Sequence, residues 1–166
     1  MFGLVVAFLA LASATGASAQ SALPPPEGEV LLRVSGRISR TNAEDEAHFD
    51  RAMIEALPRH ALHTTTSVTD GVRSFEGFLM RDLLELVGAN GTTITATALN
   101  DYVIDIPISD FTKFDVLAAY RMDDQALTTQ DKGPLWIVYP RDEHRELQDI
   151  RYDYRWVWQL IHIEVR

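Results

Sequence analysis

Metal, nucleophile and acid–base chemistry each need particular side chains at particular spacings, and few such arrangements occur in this sequence. His60-Ala61-Leu62-His63 is the closest pair of candidate metal ligands. In a strand, residues i and i+3 point to opposite faces, so this pair would converge on one ion only in a helix. His48 lies in an expected acidic helix, His144 in a charged loop and His162 in the last expected strand, and each reads as a surface or interface side chain. Asp101 and Asp105 bracket the start of an expected strand, a placement open to general acid–base work. Among 24 acids, however, a pair of carboxylates carries little weight. The chain has no cysteine, which excludes disulfides, thiolate metal sites and cysteine nucleophiles. The phosphate-cradling glycine patterns and the G-x-S-x-G elbow are also missing.

More is carried by polar and aromatic residues gathered near expected strand ends. Asn100-Asp101-Tyr102 sits between two strands, either as a turn held by its own side chains or as part of a binding surface. Asp131-Lys132-Gly133-Pro134-Leu135-Trp136 places a charge pair and a glycine directly before an apolar run, which is either a surface turn or a ligand-facing corner. Arg155-Trp156-Val157-Trp158 opens the last expected strand, where indoles at i and i+2 would share one face. They would form a ledge for a flat ligand or partner, or close one end of the core.

These residues need a scaffold, and its elements can be read in turn. Val30, Leu32, Val34 and Ile38 mark a first strand, with Gly36 as a bulge or a point of close approach. Thr41-Asn42-Ala43-Glu44 has the form of a capping box. Phe49, Ala52, Met53, Ala56 and Leu57 then recur at helical spacing, so a first helix is expected up to Pro58. Residues 62–68 and 72–78 read as a hairpin around Asp70-Gly71. Residues 79–87 read as a second helix with Gly88 as its left-handed cap. Strands follow at 92–99, 102–108, 116–121, 135–139 and 156–165, where β-branched and aromatic residues cluster. The expected class is α+β, a mixed β-sheet or barrel with a few short helices.

Residues 1–19 carry no charged side chain and end in Ala17-Ser18-Ala19. They read as a secretory signal peptide, because the apolar run is shorter than the ~20 residues that a membrane-crossing helix needs. Residues 20–28, with Pro24-Pro25-Pro26, read as a proline-rich linker, and 29–166 as a single domain. Export to the periplasm is expected, with no stable membrane insertion after cleavage. With 15 basic residues against 24 acids the formal charge is −9, so the chain lacks the cationic footprint that nucleic acid requires.

The order Leu32-Arg33-Val34-Ser35-Gly36, Phe75-Glu76-Gly77-Phe78-Leu79 leading into Asp82-Leu83-Leu84, Asn100-Asp101-Tyr102, Leu117-Ala118-Ala119-Tyr120-Arg121-Met122 and Lys132-Gly133-Pro134-Leu135-Trp136 resembles the molybdopterin-binding domain of the sulfite oxidase family. The resemblance runs from about Val30 to Val165 and is nearest to short exported members of that family. It implies an α+β fold, a pterin-bound molybdenum and oxygen-atom transfer on small oxidised substrates. It also implies one cysteine ligand between the first helix and the Phe75 motif. Here that stretch runs from His63 to Gly71, with Thr65, Thr66 and Ser67 in the ligand region and no sulfur. A threonine hydroxyl is a poor substitute for a soft thiolate.

The expected function is therefore a non-redox small-ligand-binding or sensory-accessory module. No cofactor is expected, although the resemblance leaves molybdopterin open. Asn100, Asp101, Tyr102, Lys132, Gly133, Arg155 and Trp158 are the candidate lining, and the partner is a small molecule or a membrane sensor or redox protein. The alternative is a genuine molybdopterin oxidoreductase whose metal is completed by Thr65, Thr66, Ser67 or water. An unrelated structural or inhibitory role is a third reading.

Overall fold

The computed structural model describes residues 22–166. The expected signal segment and the first residues of the expected linker lie outside the described residues. The rest of that linker lies against the domain: Leu23 is buried in the core, and the Pro24 carbonyl accepts a hydrogen bond from Asn42 Nδ2.

The apolar alternation of β1 (Val30–Gly36) buries Leu32 and Val34 while Arg33 and Ser35 face outward. This strand pairs antiparallel with β2 (Ala47–Asp50) and parallel with β10 (Leu160–Val165). Beyond β10 follow β5 (Thr93–Ala98) and β6 (Val103–Pro107), both antiparallel, completing a five-stranded sheet ordered β2-β1-β10-β5-β6. The second sheet runs β3 (Arg59–Thr64), β4 (Arg73–Leu79), β7 (Leu117–Met122) and β8 (Gln125–Ala126), and β9 (Trp136–Val138) also pairs with β7. The strands form two open sheets and not a closed barrel. One hydrophobic cluster draws buried side chains from both, including Phe49, Phe75, Phe78, Trp136 and Ile163.

Gly36 is where close approach forces a residue type. Its φ is +85°, and a Cβ there would lie 2.2 Å from the Val165 carbonyl oxygen, so an L side chain would be both strained and blocked. Helix α2 (Met80–Leu86) buries Met80, Leu83 and Leu84 and is followed by Gly88 at φ +60°, as its apolar spacing predicts.

The first helix is much shorter than its spacing suggests, spanning α1 (Arg51–Glu55) only. Asn42 is the reason. Its side chain accepts from His48 N and donates to the His48 carbonyl, closing residues 42–48 into a loop, and Asp45 takes the left-handed φ of +54°. Phe49 then lies in a strand, and the cap is Asp50, which accepts from Met53 N.

The last strand is shorter too. A 3-10 turn (Arg145–Gln148) and helix α4 (Ile150–Asp153) precede it, and Gln159 at φ +54° breaks the extended run. The two indoles therefore lie in a connecting segment and not on one strand face. Gln159 also joins the sheets: its N–H donates to the Lys132 carbonyl, its carbonyl accepts from Leu99 N, and its side chain donates to the Thr129 carbonyl.

Asp50 also accepts from the Glu27 and Gly28 amides. The bonds from Met53, Gly28 and Glu27 hold its carboxyl below the ordinary value. A depressed folded-state pKa stabilises fully above the unfolded value of about 4 and is lost as the pH falls through the folded value. Replacing Asp50 with Asn should remove this part of the acid sensitivity, which urea titrations between about pH 2 and 6 would detect as a flatter pH dependence of the midpoint.

Candidate functional site

A cavity of about 260 Å³ opens where three connections meet. The turn between β5 and β6 contributes Asn100 and Tyr102, the β3–β4 loop contributes Val68, and the segment entering β10 contributes Asp153, Tyr154, Trp156 and Trp158.

Local bonding fixes each wall. Asp101 adopts φ +64°, which Asp tolerates better than most residues, and this closes the turn with Ala98 N donating to the Tyr102 carbonyl. Asn100 Oδ1 accepts from Tyr102 N, and the Tyr102 hydroxyl donates to the Tyr154 carbonyl 2.8 Å away. Burial and the nearby Tyr154 raise the Tyr102 pKa, so its hydroxyl stays a donor. Trp156 is 3% exposed and backed by Trp136 and Tyr139, with ring centroids at 6.3 and 6.2 Å. Trp158 and Tyr154 remain exposed at the mouth.

Two polar atoms of these walls have no partner. Asp153 Oδ1 and the Trp156 indole Nε1 are buried without a hydrogen bond. Unpaired buried polar atoms cost on the order of 1–3 kcal/mol each and are uncommon in folded proteins.

The structure brings Asn100, Tyr102 and Trp158 to one cavity and places the other candidates elsewhere. Asp101 shapes the turn. Lys132 is paired with Asp131 and lies 5.6 Å from the Trp136 ring centroid. Gly133 packs against Leu127, whose carbonyl carbon would be 2.4 Å from an added Cβ. Arg155 turns away: it donates to Asp110 and stacks on Tyr152 with its guanidinium 4.8 Å from the ring centroid. Asp110 accepts from the Tyr139 hydroxyl as well, and burial, then Asp110, raises the Tyr139 pKa well above its ordinary value. Asp153, Tyr154 and Val68 were not singled out from sequence. The density of aromatics over residues 152–158 was the only signal for the first two.

The ligand region expected from family resemblance is committed to internal bonds. Thr65 donates to Asp142 through both its amide and its hydroxyl, at 2.7 and 2.6 Å. Thr66 Oγ1 accepts from Val68 N and Thr69 N and contacts the Thr69 hydroxyl. Ser67 is exposed. Among the described residues no group of three His, Cys, Asp or Glu side chains could hold a metal. His48 pairs with Glu46, His60 lies 3.7 Å from Asp82, His144 packs on Phe114 and His162 contacts Ser35.

A family profile described as the oxidoreductase molybdopterin binding domain matches residues 48–143, more than half of the chain. The chain belongs to this family. No curated protein matches it. Among solved structures, the sulfane dehydrogenase SoxCD from Paracoccus pantotrophus superposes with a TM-score of 0.61 at 15% identity, over 87% of this chain. That likeness establishes the sulfite oxidase-type fold. The chain spans only 40% of the SoxCD chain.

The family's cofactor can be set against the residues present. Its metal wants a soft thiolate, and this chain has no sulfur to offer except methionine. Its phosphate wants cations, and neither Lys nor Arg lines the cavity, whereas Asp153 does. The metal and phosphate parts of molybdopterin do not fit this site. A flat ring meets no such conflict among Tyr102, Trp156 and Trp158.

Arg155 and Trp158 should separate on substitution. Replacing Arg155 with Ala strands the buried Asp110 carboxylate and should cost about 2–4 kcal/mol of stability. Replacing Trp158, which is 36% exposed, with Ala should cost under about 1 kcal/mol. Chemical denaturation of the two variants beside the parent chain checks both.

Proposed function

We propose that this member of the molybdopterin-binding domain family is a non-redox binding module whose aromatic cavity takes a small flat ligand. The observation that carries the reading is the cavity itself: four aromatic side chains beside a loop whose Thr65 and Thr66 hydroxyls are already bonded to protein. Aromatic walls suit a planar ring, because stacking adds to the area buried, and mostly apolar concave sites with a few polar groups are the usual form of ligand sites. The organic part of the family's named cofactor is a pterin, a ring of this shape, which makes it the first probe. Oxidoreductase chemistry with hydroxyl or water coordination is the competing reading, supported by family membership.

Export is part of the proposal. The uncharged apolar stretch and the Ala17-Ser18-Ala19 ending support removal of residues 1–19 and a periplasmic location. Among the described residues no helix is long and apolar enough to cross a membrane. A membrane sensor or redox protein would then read the ligand-bound state. Intact mass of the chain from a periplasmic fraction should correspond to a start at Gln20, and retention of residues 1–19 would refute export by cleavage.

The chain produced in a molybdenum-replete host should carry molybdenum far below one atom per chain by mass spectrometry. It should bind pterin in fluorescence titrations, and Trp158→Ala should weaken that binding by about tenfold, the value of one stacking contact. Near-stoichiometric molybdenum would overturn the non-redox reading.

A further inference from the structure

The aromatic walls of the cavity differ in one respect from the rings packed nearby. Phe114, Trp136 and Tyr152 each carry one of the protein's own cations over the ring: Lys113 at 4.9 Å from the centroid, Lys132 at 5.6 Å and the Arg155 guanidinium at 4.8 Å. Tyr102, Tyr154, Trp156 and Trp158 line the cavity, and no Lys or Arg among the described residues sits over any of them. Three of these rings are also open to solvent, Tyr102, Tyr154 and Trp158 being exposed.

The unpaired charge around the cavity is negative. Asp153 belongs to its lining, Asp101 stands between the lining residues Asn100 and Tyr102, and Asp70 follows Val68 in the β3–β4 loop. None of the three makes an ion pair with a described residue. The basic residues nearest along the chain are engaged: Arg155 with Asp110, Arg151 with Asp149 and Lys132 with Asp131, while Arg141 attracts Asp142. Neither Lys nor Arg lines the cavity. Aromatic rings attract cations to their electron-rich faces, and carboxylates without a counter-charge add an attraction that salt screens.

We infer that the cavity takes a planar organic cation, a heteroaromatic ring with a quaternary nitrogen, held against Tyr102, Tyr154 and Trp158 in the field of three unpaired carboxylates. This rests on the flat-ligand reading given above and adds the ligand's charge to it. A neutral ring of the same shape keeps the buried area and loses the charge attraction. A ring that carries its own carboxylate meets Asp70, Asp101 and Asp153 with the wrong sign.

Three quinolines of nearly one shape isolate the charge: N-methylquinolinium, a permanent cation; lepidine, its neutral methyl isomer; and cinchoninate, a quinoline carboxylate. Each is measured by equilibrium dialysis against the full chain in mildly alkaline buffer, where lepidine is uncharged. The parent chain should bind N-methylquinolinium at least about tenfold more tightly than lepidine, and cinchoninate most weakly. Trp158→Leu, which keeps apolar bulk and removes the ring, should weaken the cation several-fold more than lepidine. Asp101→Asn keeps a residue that tolerates the φ of +64° and should weaken the cation by about threefold, the effect of one exposed charge, with lepidine unchanged. Equal binding of cation and neutral ring by the parent chain, or tighter binding of the carboxylate, overturns the cation reading and leaves the flat-ligand reading standing. Binding of none of the three overturns both. The parent chain's order of affinities needs no variant, so the inference remains testable should Trp158→Leu fail to fold.

Discussion

The carboxylate of Asp110 is the constraint on which the site depends. It is 7% exposed and receives the Tyr139 hydroxyl and the Arg155 guanidinium. A buried charge of this kind is tolerated only when it is paired and hydrogen-bonded, so three separate parts of the chain must arrive together: α3 (Ser109–Lys113), the end of β9 and the segment entering β10. Once Arg155 is held there, its neighbours have little choice. Trp156 must turn inward onto Trp136 and Tyr139, and Trp158 emerges on the far side of Val157 at the cavity mouth. Arg155 thus positions the aromatic walls without forming one.

The second constraint is the seam at Gln159. The left-handed residue between Lys132, Leu99 and Thr129 ties connections of the two open sheets together by giving its backbone and side chain to all three. The β5–β6 turn that carries Asn100 and Tyr102 is tied to this seam through Leu99. The cavity is therefore assembled from rigid attachments on two sides, with the β3–β4 loop as the third. That loop is held by Thr65 on Asp142, whose hydroxyl bond draws the Asp142 carboxyl below its ordinary range against the opposing effect of burial. A family fold that is named for a metal-bearing cofactor has, in this chain, spent the Thr65 and Thr66 hydroxyls of that loop on its own structure.

Much of this was legible in the residues. The period-2 burial of β1, the apolar face of α2 with Gly88 behind it, the close approach at Gly36 and the α+β class all follow from patterns a few residues long. So does the family, because its motifs are local. What failed were two inferences from local spacing that a nearby side chain overruled. Phe49, Ala52 and Met53 do fall at helical intervals, but Asn42 closes a loop onto His48 and leaves only one turn of helix. Trp156 and Trp158 do fall at strand intervals, but the left-handed Gln159 delays the strand until Leu160. Lys132 and Arg155 looked like ligand-facing charges, and their acids, Asp131 beside one and Asp110 far along the chain from the other, had already claimed them.

By itself the sequence determined the composition of the site and its limits: no thiolate, a surplus of acid, and a cluster of aromatics over residues 152–158. Only the tertiary structure decided which of these face a common space. Asp153, Tyr154 and Trp156 meet Tyr102 and Val68 because long-range bonds, Arg155 to Asp110 across 45 residues, Tyr102 to Tyr154 across 52 and Thr65 to Asp142 across 77, bring distant segments to one place. Spacing reports which face of its own element a residue occupies, and it carries no information about which other element that face will meet.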